Sequence, residues 1–444
     1  QSGNMRLITN KPNRDEFEAS IDFGMSSTSG GAGSNNVEAM INIPLSDRAA
    51  VRFVGYSDNQ GGWIDNVSGT FTPSGEVIDR NNSAGYGPFF GDFPLTTIQS
   101  ASNADLAEDD WNEAKYNGFR VAASYDFNDE WSGLITHMSQ EIDVEGSFLI
   151  DPSLGDEKAQ KFVPEHNLDE FDITTWTLEG RLANLDVVYT GGYIDREVDA
   201  LMDYTHYNNG GGYITYYLCS GNIYSGDKAN ARNTCFDPTK QYADESTNER
   251  TTHEIRVSSD PDSRLRWMAG VYMSDVDTTH IGEFQYMSTN DAFSEHIVNY
   301  FGSGDPFQVG NTTIPNTAGT NTTGPRSPLT TFYNDFGRSE EETAFFGEVS
   351  FDLTDDLTVA LSARRYDLKS QLQGASNFSF GCRYGAPFTD RDTPAGAGSG
   401  NAEVTPDGRC NSNAFSNDVT ARLLTLGAYA ASGDDNIILN ATSP

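Results

Sequence analysis

The stretch Thr343-Ala-Phe-Phe-Gly-Glu-Val-Ser-Phe-Asp352 alternates apolar and polar residues along its length. After the link Leu353-Thr-Asp-Asp356, the stretch Leu357-Thr-Val-Ala-Leu-Ser-Ala-Arg-Arg-Tyr366 repeats the alternation. One face of the pair carries Phe345, Gly347, Val349, Phe351, Leu353, Leu357, Val359, Leu361 and Ala363, and the other carries Glu348, Ser350, Asp352, Thr358, Ser362 and Arg364. A period of two on both sides of a short polar link predicts an antiparallel hairpin with one apolar face. Each strand has about ten residues, enough for a tilted strand to cross the hydrocarbon of a bilayer.

The same pattern recurs along the chain and predicts thirteen strands. They are expected at residues 16–27, 37–43, 49–57, 116–127, 131–142, 169–182, 185–196, 248–258, 265–275, 343–352, 357–366, 419–430 and 436–441. From the second strand onward the links alternate between short turns and long loops, and the long loops are predicted at about 58–113, 143–167, 197–245, 276–341 and 368–417. Short turns at one end and long loops at the other are typical of outer-membrane barrels. The sequence therefore predicts an all-β fold, an antiparallel up-and-down transmembrane β-barrel.

Composition and charge agree with this fold class. Only 36% of the 444 residues are hydrophobic, and no apolar run approaches the roughly 18 residues of a membrane-spanning helix. Any membrane crossing must therefore use strands. The net charge of −37 argues against nucleic-acid binding, because no basic stripe is present to neutralise phosphates. The acidic residues suit solvated loops or an extracellular surface that attracts cations.

The four cysteines form two local pairs, Cys219 with Cys235 and Cys382 with Cys410. Each pair lies within one long, polar, glycine-rich loop. Neither pair has zinc-ligand spacing, so the pattern predicts two disulfides in an oxidising compartment.

A tyrosine-rich stretch in the third long loop is the candidate ligand-binding segment. Its candidate residues are Tyr204, His206, Tyr207, Tyr213, Tyr216 and Tyr217. Tyrosine offers a flat, rigid contact surface with a polar tip, which suits an aromatic or glycosidic ligand at the mouth of a barrel. The same rings could instead pack the loop on itself or belong to an interfacial aromatic girdle.

The sequence contains no pattern typical of an enzyme or of a metal or cofactor site. The six histidines are scattered, with no HExxH motif or other metal-ligand spacing. There is no G-x-S-x-G elbow and no glycine-rich phosphate loop that opens a helix. We therefore expect a binding and transport protein without catalytic residues or a cofactor.

Several phrases together resemble the TonB-dependent outer-membrane receptors, specifically their siderophore-receptor branch. They are Gly3-Asn-Met-Arg-Leu-Ile-Thr-Asn-Lys-Pro12, Asn42-Ile-Pro-Leu-Ser-Asp47, Gly61-Gly-Trp-Ile-Asp-Asn66, His253-Glu-Ile-Arg-Val-Ser-Ser259, Arg266-Trp-Met-Ala-Gly-Val271 and the hairpin described first. The phrases occur in the order that the family shows, across the length of the chain. The first of them is similar to the segment that ends the family's plug domain and leads into its barrel.

The resemblance implies a division of the chain and a function. Residues 1–13 would be the end of a plug domain, and residues 14–444 an incomplete barrel with about 13 of an expected 22 strands. The protein would then be a fragment of a receptor that takes up a scarce nutrient across the outer membrane. A ferric siderophore is the expected ligand, with cobalamin, haem and oligosaccharides as alternatives. The expected partners are outer-membrane lipid and the TonB energy-transducing complex, which would act through the plug.

Two other classes of protein share parts of this pattern. A passive porin has the same alternation of strands and loops but no plug-like segment before its first strand. A secreted all-β adhesin or glycan-binding protein can also be acidic and rich in tyrosine.

Overall fold

The computed structural model describes residues 8–72, 95–206, 219–220, 233–287, 330–378 and 437–442. In these ranges one antiparallel sheet of twelve strands forms a meander, each strand pairing with the next one in the chain. In chain order the strands are β1 Glu18–Ser27, β2 Gly33–Ser46, β3 Ala49–Gln60, β4 Ala114–Asp126, β5 Trp131–Glu145, β6 His166–Leu182, β7 Leu185–Asp203, β8 Lys240–Ser259, β9 Leu265–Tyr286, β10 Thr330–Thr354, β11 Leu357–Phe378 and β12 Ile437–Thr442. Seven short strands lie in the long links: Asp65–Asn66, Thr70–Phe71, Leu95–Ile98, Ala101–Ser102, Lys158–Ala159, Cys219–Ser220 and Asn233–Cys235.

The predicted hairpin is confirmed as β10 and β11, joined by a turn at residues 355–356. Its register places Val349 opposite Leu361 and Glu348 opposite Ser362. Directly opposed residues point to the same side of a sheet. The apolar residues of both strands therefore share one face and the polar residues the other, as the alternation predicts.

The two faces continue across the sheet. We call the face that carries Val349 and Leu361 the outer face. Large apolar side chains line it and are exposed: Ile21, Phe23, Met25, Val37, Ile43, Phe53, Phe119, Val121, Tyr125, Ile135, Tyr193, Ile255, Leu265, Trp267, Met273, Phe345, Val349, Phe351, Val359 and Leu361. An apolar surface of this extent on a soluble protein would mark an interaction site or an aggregation hazard.

The opposite face, which we call the inner face, is polar and charged. Arg266 bonds Asp352 between β9 and β10, Arg364 bonds Glu342 between β10 and β11, and Arg52 bonds Glu18 across β2. The sheet therefore has its apolar side turned to the surroundings and its ion pairs turned inward, the reverse of a soluble sheet packed on a core.

The meander separates the links by length. Short turns at residues 47–48, 127–130, 183–184, 260–264 and 355–356 lie at one end of the sheet. The strand ends that flank residues 61–113, 146–165, 204–239, 287–329 and 379–436 lie at the other. From β2 to β11 the links therefore alternate between short and long. We call the two ends the turn end and the loop end.

The strand boundaries differ from the predicted ones at the loop end. The strand predicted at 265–275 continues to Tyr286, and the strand predicted at 343–352 begins at Thr330. The links at residues 61–113, 146–165, 204–239 and 287–329 are therefore shorter than the predicted loops. The physical reason is that ladder hydrogen bonds need no apolar face, so pairing continues after the apolar alternation ends.

The end of the sheet also corrects the predicted strand order. The strand predicted at 436–441 is present as β12, and it pairs directly with β11. The prediction placed another strand, residues 419–430, between these two, and those residues lie outside the described ranges. Across the described residues β1 and β12 do not pair, so this sheet is not a closed barrel. Among these residues no helix is long and apolar enough to span a membrane.

Candidate ligand-binding mouth

Two of the six predicted ligand-binding residues, Tyr204 and His206, lie in the described part of the chain, directly after β7. The Tyr204 backbone N–H donates to the Lys240 carbonyl over 2.8 Å, which ties this link to the start of β8. The Tyr204 ring meets the Phe284 ring edge to face at 5.2 Å. Tyr207, Tyr213, Tyr216 and Tyr217 lie outside the described residues.

Tyr204 joins a row of aromatic rings at the loop end of the inner face. Tyr242 lies opposite Phe284 and Lys240 opposite Tyr286 in the β8–β9 register. The Tyr242 and Phe284 ring centres are 4.6 Å apart. Sequence reasoning missed these residues because they fall in stretches assigned to loops. The signal was present, since Lys240 and Tyr242 continue the period of two of the inner face of β8.

Lys240 is the most deeply buried cation in the described structure, with 0% of its surface exposed. Its Nζ lies 4.2 Å from the centre of the Tyr286 ring, a distance typical of a cation–π contact. Burial disfavours the charged ammonium and lowers the pKa of Lys240 to about 7. The aromatic row therefore includes a cationic group whose charge is sensitive to neutral pH.

A second niche lies one strand further along the inner face. His280 stacks on Phe336 with ring centres 6.4 Å apart. The His280 Nδ1 is 3.3 Å from an Asp244 oxygen, and its Nε2 is 3.5 Å from the Tyr242 hydroxyl. A cavity of about 300 Å³ opens beside this pair, lined by Thr278, Thr279, His280, Phe336, Arg338 and Leu372. Stacked rings next to an arginine can hold a planar or anionic group.

His206 belongs to a different neighbourhood, a folded cap above the loop end. Its ring meets Phe71 at 5.1 Å and Phe162 at 5.8 Å. Its Nε2 lies 3.2 Å from the Gln160 carbonyl oxygen. Phe71 and Phe162 are themselves buried against Ala101. Tyr204 and His206 therefore make separate contacts, and in the described structure His206 helps to pack the cap.

The cap forms where the link after β3 meets the link after β5, and buried asparagines hold it together. The Asn112 Oδ1 accepts the backbone N–H groups of Trp63 and Ile64 at 2.8 and 2.7 Å. The Asn66 Oδ1 accepts the Lys161 backbone N–H at 2.8 Å, and its Nδ2 donates to the Leu106 carbonyl at 2.8 Å. These bonds join three segments, residues 63–66, residues 106–112 and Lys161.

The cap explains the phrase Gly61-Gly-Trp-Ile-Asp-Asn66. Ile64 is 0% exposed and Asn66 is 1% exposed, so both are core residues of the cap. A Cβ on Gly62 would come within 1.8 Å of the Asp110 carbonyl oxygen. Glycine is therefore required there for the close approach of two backbones.

The first predicted cysteine pair is partly described. Two short antiparallel strands place Cys219 directly opposite Cys235. Directly opposed residues of an antiparallel pair have Cα atoms about 4.5–5.5 Å apart, within the range that a disulfide spans. The disulfide itself stays a prediction. Cys382 and Cys410 lie outside the described residues.

The segment before β1, which the sequence assigns to the plug–barrel junction, lies on the inner face near the turn end. The Asn10 carbonyl accepts a hydrogen bond from Arg120 at 3.2 Å. Arg14 pairs with Asp126, and the Lys11 Nζ is 3.7 Å from Glu179. A cleft of about 480 Å³ remains between this segment and strands β4 to β8. We call residues 8–17 the lead-in segment.

Comparison with known proteins shows the fold. No protein-family model and no curated protein matches the chain. The crystal structure of the ferric yersiniabactin uptake receptor FyuA from Yersinia pestis matches 84% of this chain with a TM-score of 0.53 and 9% sequence identity. The two proteins share a fold. This chain corresponds to 42% of the FyuA chain, so it spans less than half of that receptor.

A second solved structure is similar over the same share of the chain. It is the ferripyoverdine receptor of the outer membrane of Pseudomonas aeruginosa bound to ferripyoverdine, and its sequence is 13% identical to this chain. The match covers 84% of this chain and 40% of that chain, with a TM-score of 0.44.

Among the residues described in our structure, no group of three or more His, Cys, Asp or Glu side chains could hold a metal ion.

Proposed function

We propose that this chain is part of a TonB-dependent outer-membrane receptor that binds a ferric siderophore at the loop end and passes it inward. The observation that carries the proposal is the twelve-strand meander with an apolar outer face, a charged inner face and every long link at one end. A transmembrane barrel wall needs this combination, because lipid surrounds it and water or a plug fills it.

The height of the apolar surface supports membrane insertion. On β9 the outer face reads Leu265, Trp267, Ala269, Val271 and Met273, and then becomes acidic at Asp275 and Asp277. On β10 it becomes acidic at Glu341, which lies directly opposite Asp275. The apolar part is therefore about ten residues long on each strand, which matches the 9–11 residues of a tilted membrane-spanning strand.

The orientation follows from outer-membrane barrels in general, which have short periplasmic turns and longer extracellular loops. The cap, the aromatic row and the His280 niche would then face the outside of the cell. The lead-in segment would lie near the periplasmic side, where a plug would join the barrel. The TonB complex would act through that plug.

The ligand class is supported by two observations. The FyuA structure, which shares the fold, is of a receptor for ferric yersiniabactin. The loop end of the inner face carries the half-buried rings of Tyr204, Tyr242 and Phe284, and the exposed Arg338 lines the cavity beside His280. Aromatic and cationic side chains suit ligands that combine rings with negatively charged oxygens.

The uptake experiment uses a Gram-negative host that lacks its own siderophore receptors and carries the complete gene. Radioactive iron is supplied as a panel of ferric siderophores, in cells with and without TonB. We expect TonB-dependent iron accumulation with one siderophore. Accumulation that does not depend on TonB would show a passive porin, and recovery of the protein in the soluble secreted fraction would show an adhesin.

Binding is tested separately from uptake. Tyr213→Ala and Tyr216→Ala are each expected to weaken siderophore binding to isolated outer membranes about tenfold or more without lowering the amount of protein in the membrane. Tyr193→Ala, on the outer face, is the control and should leave binding unchanged. Equal loss of binding and of membrane protein in the two variants would show that the rings only pack the loop.

A further inference from the structure

We infer that Asn42 is a positioning residue that anchors the lead-in segment to the inner face. Asn42 lies on β2 and is 0% exposed. Its Oδ1 accepts the Asn13 backbone N–H at 2.8 Å, and its Nδ2 donates to the carbonyls of Asn13 at 2.8 Å and Glu16 at 3.0 Å. One amide side chain therefore pairs with three backbone groups of a segment that belongs to no strand.

The surroundings of Asn42 keep it in place. The register puts Glu18, Asn42 and Arg52 in one row across β1, β2 and β3. The Arg52 Nη1 bonds the Glu18 carboxylate at 3.1 Å across the position of Asn42, and the Asn13 Nδ2 donates to the same carboxylate at 2.7 Å. The side chain is thus enclosed by a salt bridge and by the segment that it binds. This arrangement gives the first residue of Asn42-Ile-Pro-Leu-Ser-Asp47 a specific role.

Asparagine fits this role better than any close substitute. Its oxygen accepts and its nitrogen donates, as the extended backbone requires. Aspartate would keep the acceptor but would place a negative charge against two carbonyl oxygens. Leucine would leave the Asn13 N–H and two carbonyls without partners, and unpaired buried backbone groups are costly.

The anchor separates a weakly held part of the lead-in segment from a firmly held part. Upstream of it, Asn10 and Lys11 are held by single contacts with Arg120 and Glu179. At Asn13 and Glu16 the chain is held by three bonds from one buried residue, two to Asn13 and one to Glu16. A pulling force applied to the chain from its N-terminal side would therefore be resisted at Asn13, and β1 would stay paired with β2. Its use during transport rests on the proposed function, whereas the anchoring itself does not.

Amide hydrogen exchange of the protein in detergent or membranes tests the anchor without any transport assay. We expect Asn42→Asp and Asn42→Leu to speed exchange in residues 8–17 at least about tenfold, since each variant weakens or removes hydrogen bonds from a buried side chain to this backbone. Exchange in β4 to β9 should not change. Asn59→Leu is the control. Asn59 on β3 bonds Asn35 on β2, the strand that carries Asn42, but does so at the loop end. Unchanged exchange in residues 8–17, or equal acceleration by Asn59→Leu, would overturn the inference.

A second pair of variants keeps the test decisive if Asn42 variants fail to fold. Residue 13 precedes β1, so changes there leave every strand intact. Asn13→Ala retains the backbone groups that Asn42 binds, whereas Asn13→Pro removes the N–H donor. We expect faster exchange after Asn13→Pro than after Asn13→Ala. Equal exchange in the two variants would contradict an anchor made to the backbone of residue 13.

Discussion

Val349 and Leu361 lie directly opposite each other on β10 and β11, and both side chains point away from the ion pairs of the inner face. Leu361 is 77% exposed and Val349 is 48% exposed. Two large apolar side chains exposed at the centre of a hairpin suit contact with lipid, as the proposed barrel requires.

Placing a charge at this position should therefore prevent stable insertion. Arginine on the lipid face near the bilayer mid-plane costs about 2–4 kcal/mol. We expect Leu361→Arg to reduce the protein that stays in outer membranes after a carbonate wash. Ser362→Arg, one residue further and on the inner face, should insert like the wild type. Equal retention of the two variants would show that the outer face does not contact lipid.

Asn66 should determine the stability of the cap. Its side chain bonds Leu106, Lys161 and Asn103, so alanine at this position leaves several buried groups unpaired. We expect Asn66→Ala to destabilise the cap by roughly 1–3 kcal/mol and to speed amide exchange in residues 158–163. Asn128→Ala, in a turn at the opposite end, should leave that exchange unchanged. A cap that exchanges at the wild-type rate in Asn66→Ala would contradict the proposed role of the asparagines.

Lys240 should make stability depend on pH. Because its folded pKa of about 7 is below its ordinary value, the unfolded state binds more protons between about pH 7 and pH 10. The free energy of unfolding should therefore rise with pH in this window, by at most about 1.4 kcal/mol per pH unit from this group. Lys240→Met should flatten the rise while keeping the apolar stem. Thermal unfolding at several pH values measures how stability changes with pH. If the rise of stability with pH is the same in Lys240→Met as in the wild type, Lys240 is not its cause.

The predicted disulfides can be mapped directly. Non-reducing peptide mapping should recover Cys219 linked to Cys235, in keeping with their opposed positions, and Cys382 linked to Cys410. The reason is that each pair closes one loop on the side proposed to face an oxidising environment. Crossed pairing would show that the two loops are joined and would overturn the loop assignment.

The sheet could be predicted from sequence because its alternation is a direct consequence of strand geometry. Phe345 and Val349 fall on one face whichever residues surround them, and a one-residue slip would turn every apolar side chain inward. The strand ends could not be predicted, because beyond Met273 the outer face of β9 becomes polar at Asp275, Asp277 and Thr279, and the apolar alternation that separates strand from loop ends there.

The cap and the anchor were missed for a different reason. Asn66, Asn112 and Asn42 act through hydrogen bonds to backbone groups that are far away in sequence, and such bonds leave no period. Asparagine in a polar stretch is ordinarily read as a turn former. The resemblance of two phrases to known receptors drew attention to Asn42 and Asn66, without giving their physical role, and nothing in the sequence singled out Asn112.

In the proposed orientation the chain crosses the outer membrane with all its long links outside. The most direct test of this orientation places an epitope tag after Gly155, in the link that follows β5, and separately between Asp355 and Asp356. We expect an antibody to bind the first tag on intact cells and the second only after the outer membrane is permeabilised. Equal access to both tags on intact cells, or access to the turn alone, would contradict this orientation.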